Sequence, residues 1–233
     1  MIERSSQHTK RYERKFVVDS MDAYAVRDVI RFHPAAFHNI YNPRFINNLY
    51  FDTPNFNFYY DNHFGKADRV KVRIRWYGEF KNAAHPYLEI KKKNGLVGDK
   101  DVYRLKPFQI GSLFDTKNIM RHLQECDLPA NLVRWLKDLE PKILNRYHRQ
   151  YFLSGDKNFR MTFDDKIQYF AVEGKKSTLK KCYSDYSHFV LELKYTVNQE
   201  HEAGEITRHL PFRIDKNSKY VNGVDCFNYM AAV

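Results

Sequence analysis

The amino-acid sequence predicts an α+β fold, in which many antiparallel strands form a barrel or sandwich and helices are added in the middle of the chain. Three observations predict it. Segments such as residues 69–77 (RVKVRIRWY) alternate apolar and charged residues with the period of two that belongs to a strand. Aromatic residues make up 16% of the chain, with 17 Tyr and 18 Phe, and flat rings pack well on pleated surfaces. Around residues 116–139 the apolar positions recur instead at helical spacing.

Taken in order, residues 11–18 read as a first strand. Asp19 or Ser20 can cap a short helix over residues 21–31, which carries Ala23, Val26 and Ile30 at helical spacing and is followed by Pro34. Residues 45–52 (FINNLYFD) are strand-like, Thr53-Pro54-Asn55 turns the chain, and residues 56–61 read as another strand. Residues 69–77 and 87–93 alternate well, and the Asn94-Gly95 turn brings residues 101–105 back as a hairpin partner. Asp115 is placed to cap a helix over residues 116–125. Residues 129–139 carry Leu132, Val133, Leu136 and Leu139 at helical spacing. Strands resume at 146–153, 159–163 and 189–197, with Ser154-Gly155-Asp156 as a hairpin turn and Asp164-Asp165 as a turn pair. Residues 202–209 read as a last short helix, and RIDKNSKYVNGV as a polar, irregular end.

No internal repeat or linker divides the chain, so residues 1–10 are expected to be a flexible polar tail and residues 11–233 a single domain. Hydrophobic content of 43% and charged content of 29% allow a core and argue against disorder. Cys126, Cys182 and Cys226 are far apart, which suggests neither a disulfide framework nor a cysteine zinc site. The ten histidines include no HExxH. The start of the chain is polar, and no apolar run approaches the roughly 20 residues that span a bilayer, so a cytoplasmic protein is expected. Lys and Arg number 39 against 28 Asp and Glu, a net charge of +11. Such an excess repels itself unless it meets nucleic acid, an anionic membrane or a phosphate-rich ligand.

The placement of the charges narrows that choice. One face of residues 69–77 carries Arg69, Lys71, Arg73 and Arg75; the other carries Val70, Val72, Ile74 and Trp76. Glu89, Lys91 and Lys93 share a face, as do Glu192 and Lys194, and Arg11, Glu13 and Lys15. Arg160, Thr162 and Asp164 form a fifth such set. For any one strand, a solvated outer face explains this pattern best. Across five strands the bias toward Arg and Lys points inward instead, to a lumen whose missing counter-charge a bound polyanion supplies. Glu89 reads as a charge partner for nearby lysines, and Glu13 either assists a metal or pairs with Lys15 or Arg73.

Eight segments carry a resemblance: YERKF, NNLYFDTP, VRIRWYG, LEIKKK followed by GDK, RYHRQYF, FRMTFDD, LELKY and SKYVNG. In this order they resemble the triphosphate tunnel metalloenzyme (CYTH-like) superfamily, and within it the polyphosphate polymerases of the vacuolar transporter chaperone (VTC) type, over residues 11–224. The resemblance implies an antiparallel β-barrel tunnel in which Lys15, Arg73, Arg75, Lys91, Arg149 and Arg160 line the lumen. It implies that Glu192 holds Mn2+ or Mg2+, that Lys100 joins the lining, and that Lys216, Ser218 and Lys219 bind a terminal phosphate. Tyr147 precedes Arg149 as a tyrosine does in the family. The superfamily's ExExK strand here reads RYERK, with Arg11 at the first Glu position, a departure that fits the polymerase branch.

The function so implied is metal-dependent transfer of the γ-phosphate of ATP to a growing polyphosphate chain, with ATP, pyrophosphate or polyphosphate as ligands. The rivals are a triphosphatase on the same fold and a non-catalytic polyphosphate binder. Nucleic acid is not expected, since the basic faces hold few rings for stacking. A separate membrane channel subunit is compatible with the family, and would hold this chain at the inner face of a membrane.

Overall fold

The computed structural model describes residues 11–19, 21–94, 97–111, 116–173 and 178–227. Its strands are β1 (Arg11–Val18), β2 (His38–Asp52), β3 (Arg69–Tyr77), β4 (Asn82–Ala83), β5 (Tyr87–Asn94) and β6 (Val97–Arg104), then β7 (Phe108–Gln109), β8 (Glu140–Leu153), β9 (Arg160–Glu173), β10 (Thr178–Asp185) and β11 (Phe189–Thr196). The helices are α1 (Ala23–Arg31), α2 (Asn57–His63), α3 (Thr116–Gln124), α4 (Ala130–Leu136), α5 (Glu200–Arg208) and α6 (Lys219–Cys226).

Nine strands form one antiparallel sheet in the order β1-β11-β9-β8-β2-β3-β5-β6, with β10 on the second half of β9. The sheet curls so far that Glu13 on β1 comes within 3.8 Å of Lys91 on β5, close to the opposite end of that order. The curl follows from where the apolar faces go. The outer face of β1, β11 and β9 buries Phe16, Met161, Phe163, Leu191 and Leu193 against Val26 and Ile30 of α1 and Ala203 and Ile206 of α5. The outer face of β3 and β5 buries Val72, Ile74, Trp76 and Ile90 against Ile119 and Leu123 of α3 and Leu136 of α4. Alternation then leaves the charged residues of the same strands on the concave side.

One helix enters that concave side. Helix α6 sets Tyr220 and Val224 against Tyr50, Ile143, Tyr147 and Tyr169, and the Tyr50 and Tyr220 rings stack with centroids 5.2 Å apart. Its close approach depends on Gly223. A Cβ there would lie 2.8 Å from Ile143 Cγ2 and 2.9 Å from Tyr169 Cδ1.

The structure corrects several expectations. Residues 56–61 are not a strand: Asn57–His63 form helix α2. Asp52, at the end of β2, accepts hydrogen bonds from the Phe58 and Tyr59 N–H groups, each at 2.8 Å, and Thr53 Oγ1 accepts from Asn57 N–H at 2.9 Å. These oxygens satisfy the free donors of a first helical turn, which outweighs the strand preference of a Phe- and Tyr-rich segment. The α1 cap is Asp22, not Asp19 or Ser20; its carboxylate accepts from Tyr24 and Ala25 N–H at 2.8 and 2.9 Å. The irregular end expected after Arg213 contains α6, capped by Ser218. Asp164 and Asp165 lie inside β9, not in a turn. Strands β2, β8 and β9 run well past the expected limits, and β10 was not expected. The Ser154–Asp156 turn is present, with Ser154 Oγ donating to Asp156. Residues 1–10, Ser20, Gly95, Asp115 and the segment 228–233 lie outside the described residues.

Gly223→Ala is expected to destabilise the protein by about 1–3 kcal/mol in a denaturant titration, since overpacking outweighs the helix-propensity gain of about 1 kcal/mol. Unchanged or increased stability would show that α6 does not sit so close to the sheet.

Candidate functional site

Strand register brings the predicted cations together. Directly paired residues of antiparallel strands point to the same side. Lys15 pairs with Glu192, Glu192 with Thr162, and Asp164 with Arg149. Asn145 pairs with Asn48, Asn48 with Arg75, and Arg73 with Glu89, while Lys91 stands between Lys71 and Lys100. The concave face is therefore continuous from β1 to β6.

Three carboxylates organise it. Glu89 accepts from Arg73 Nε at 2.7 Å and Nη2 at 2.5 Å, and from Lys100 Nζ at 2.5 Å, with Arg75 Nη1 at 3.8 Å. Burial works to raise its pKa, but Arg73, Arg75 and Lys100 hold it well below the usual carboxylate range. Asp164 takes a bidentate grip from Arg149, Nε at 2.5 Å and Nη2 at 2.7 Å, and Lys219 Nζ at 2.6 Å. Burial again opposes, and Arg149 and Lys219 lower its pKa. Glu192 lies 3.3 Å from Lys194 Nζ and 3.7 Å from Arg149 Nη2. Against the effect of burial, Lys194, Lys15 and Arg149 hold it well below its ordinary value.

Two further cations donate to neutral oxygens. The Lys15 ammonium donates to the Asn217 carbonyl at 3.2 Å, and Lys71 donates to Ser218 Oγ at 2.8 Å. Burial, followed by Lys15, Lys91, Arg73 and Arg69, lowers the Lys71 pKa from 10.5 to about 7. Tyr147 is buried, with Lys219 Nζ 4.5 Å and Arg149 Cζ 5.2 Å from its ring centroid. A polar relay runs from Arg75 Nε to Asn48 Oδ1 and from Asn48 Nδ2 to Asn145 Oδ1, each 2.8 Å. Among the described residues neither Asn145 Nδ2, buried at the end of the relay, nor Thr162 Oγ1, buried beside Glu192, has a hydrogen-bond partner.

The VTC domain family matches residues 10–228. The chain belongs to the VTC domain family. Among solved structures, this VTC domain is similar to the Hippeastrum protein HpAC1, a candidate adenylyl cyclase described as having a dominant triphosphatase activity. The two share 13% identity and a TM-score of 0.54, over 92% of this chain and 96% of that one. Candidate adenylate cyclases from Vibrio parahaemolyticus (11% identity, TM-score 0.51, 93% and 99% covered) and Bacillus halodurans (14%, 0.51, 94% and 99%) share the same architecture. These likenesses show the triphosphate tunnel fold. No curated protein sequence matches the chain. No helix among the described residues is long and apolar enough to cross a membrane.

Of the residues singled out by sequence in this VTC domain, Lys15, Arg73, Arg75, Lys91, Lys100, Tyr147, Arg149 and Glu192 converge on the concave face, and α6 adds Ser218 and Lys219. Arg160 is exposed at the start of β9, paired in register with Lys194. Lys216 is exposed on the loop before α6, with its backbone N–H on Asp215. Glu13 pairs with Lys91 and Lys194 rather than with Lys15 or Arg73. Sequence reasoning gave no site role to Lys71, Asn48, Asn145 or Thr162. Lys71 was detectable, since it shares its strand face with Arg73 and Arg75; the two asparagines carried no signal in the alternation.

The lowered Lys71 pKa has a sign that can be tested. Unfolded, the group titrates near 10.5; folded, near 7. Between those values the unfolded chain binds more protons, so stability rises with pH through this window, and below it the penalty is constant. Denaturation at pH 7 and 9.5 is expected to show a smaller rise in Lys71→Met than in the parent protein. An identical rise in both would place the ammonium in contact with solvent.

Proposed function

We propose that this VTC domain transfers the γ-phosphoryl group of ATP onto the end of a polyphosphate chain held on its concave basic face. The observation that supports this most is the excess of cations gathered there. Lys15, Lys71, Arg73, Arg75, Lys91, Lys100, Arg149, Lys194 and Lys219 outnumber Glu13, Glu89, Asp164 and Glu192, and the deficit matches a ligand that brings its own negative charge.

Phosphoryl transfer asks the protein for in-line placement and for neutralisation of charge spreading over phosphate oxygens. Arg73, Arg75 and Arg149 supply planar forks already held in place by Glu89 and Asp164, so little ordering is left to do on binding. Lys15, Lys71, Lys91 and Lys219 act as point charges, and Asn145 Nδ2 and Thr162 Oγ1 offer neutral hydrogen-bonding groups. Arg160, Lys100, Tyr147, Lys216 and Ser218 complete the phosphate-contacting set in this reading. The acceptor is the terminal phosphate of the chain, already anionic, so no general base is needed.

The family implies a divalent cation, Mn2+ or Mg2+. Among the described residues no group of three or more His, Cys, Asp or Glu gathers at one point. Glu13 and Glu192, whose carboxylates both lie within 3.6 Å of Lys194 Nζ, do fit a hard cation that draws its remaining ligands from phosphate and water, as Mg2+ commonly does. A cation held there would neutralise charge on the bridging phosphate oxygens. The dominant triphosphatase activity described for HpAC1 favours a second reading, hydrolysis of a triphosphate on the same face.

Incubation with ATP and Mn2+ is expected to yield ADP and long acid-labile polyphosphate, whereas orthophosphate as the main product would favour the hydrolase. Glu192→Gln is expected to lower turnover at least a hundredfold with the thermal melt retained. Full activity in that variant would remove Glu192 from the chemistry.

A further inference from the structure

We propose that Tyr77, Arg44 and Tyr151 form a docking rim for the aromatic base of a nucleoside triphosphate, whose phosphates run from there inward to Arg75 and Arg149. This rests on the nucleotide reading above and adds the element that recognises the nucleoside.

The position of the rim follows from register. Tyr77 lies two residues beyond Arg75 on β3, and Tyr151 two residues beyond Arg149 on β8. Each ring therefore shares the concave face with its arginine and stands about 7 Å further along the strand. Arg44 pairs with Arg149, and Tyr151 with Thr162, so the same row continues across β2 and β9. Helix α6 packs further along β2 and β8, on Tyr50 and Ile143, and leaves this stretch uncovered.

The chemistry of the rim differs from that of the face behind it. Arg44 Cζ lies 4.1 Å from the Tyr77 ring centroid and 5.2 Å from that of Tyr151, and Arg44 Nε donates to Tyr151 Oη at 3.1 Å. The Tyr41 ring meets Tyr151 edge-on at 5.7 Å. Yet Tyr77 remains 37% exposed and Tyr41 59% exposed. Bare polyphosphate has no use for a π face, whereas stacking on a tyrosine or arginine plane binds any nucleobase without selecting among them. The guanidinium fixed between two rings makes the platform rigid before a ligand arrives, which spares ordering on binding.

The test separates nucleoside from phosphate. The β,γ-imido analogue of ATP and inorganic tripolyphosphate are titrated calorimetrically, with Mg2+ present, into the parent protein, Tyr77→Leu and Tyr77→Phe. Leucine keeps the apolar bulk and removes the ring. Tyr77→Leu is expected to weaken the nucleotide about tenfold, the order of one lost base–ring contact, and to leave tripolyphosphate unchanged; Tyr77→Phe restores nucleotide binding. An equal effect on both ligands, or on neither, overturns the rim. Tripolyphosphate binding without nucleotide binding in the parent protein overturns the rim and leaves the polyphosphate reading standing. Binding of neither ligand defeats the reading on which the rim rests.

Discussion

Gathering cations on one sheet face is costly, because each gives up water and feels its neighbours through a medium less polarisable than the solvent. The concave face meets that cost in part. Glu89 ties three strands together through Arg73 and Lys100, and Asp164 ties two strands and α6 together through Arg149 and Lys219. What they leave uncompensated is concentrated near the loop before α6, where Lys15 donates to the Asn217 carbonyl and Lys71 to the Ser218 hydroxyl, both neutral oxygens. The fold holds these like charges together because the outer faces of the same strands are buried under α1, α3, α4 and α5. Core packing thereby stabilises an arrangement that electrostatics alone would disperse.

Helix α6 couples the packing to the site. Its C-terminal half is fixed by Val224 and Gly223 against β8 and β9, and its start supplies Ser218 and Lys219 to the charged cluster. Asp52 links it to α2, accepting from Tyr220 Oη on one side and from the Phe58 and Tyr59 N–H groups on the other. A single buried carboxylate thus caps one helix and anchors another.

The most regular parts of this design could be read in the sequence. Strand β3 was legible to the residue, because nothing interrupts its alternation and both faces have a strong signal. The concave placement of Arg73, Arg75, Arg149 and Glu192 followed from the same alternation and from the family resemblance. Helix α2 was not legible: NFYYDNH has strand-like residues, and the deciding cap comes from Asp52, several residues earlier. Asp164-Asp165 looked like turn chemistry; only the partners Arg149, Lys219 and, for Asp165, Arg27 and His148 make two carboxylates tolerable inside a strand. Helix α6 was hidden by its polar start, which belongs to the site rather than to a loop. The family resemblance grouped Lys216 with Ser218 and Lys219; the last two reach the charged cluster with α6, and Lys216 is exposed on the loop before it.

The position of a bound phosphate chain tests this picture most directly. A crystal structure determined with inorganic tripolyphosphate is expected to show phosphates on the concave face, between Arg73, Arg75 and Arg149 on one side and Lys15, Lys71 and Lys219 on the other. Tripolyphosphate bound only on the outer surface, or a concave face left empty at saturating ligand, would contradict it.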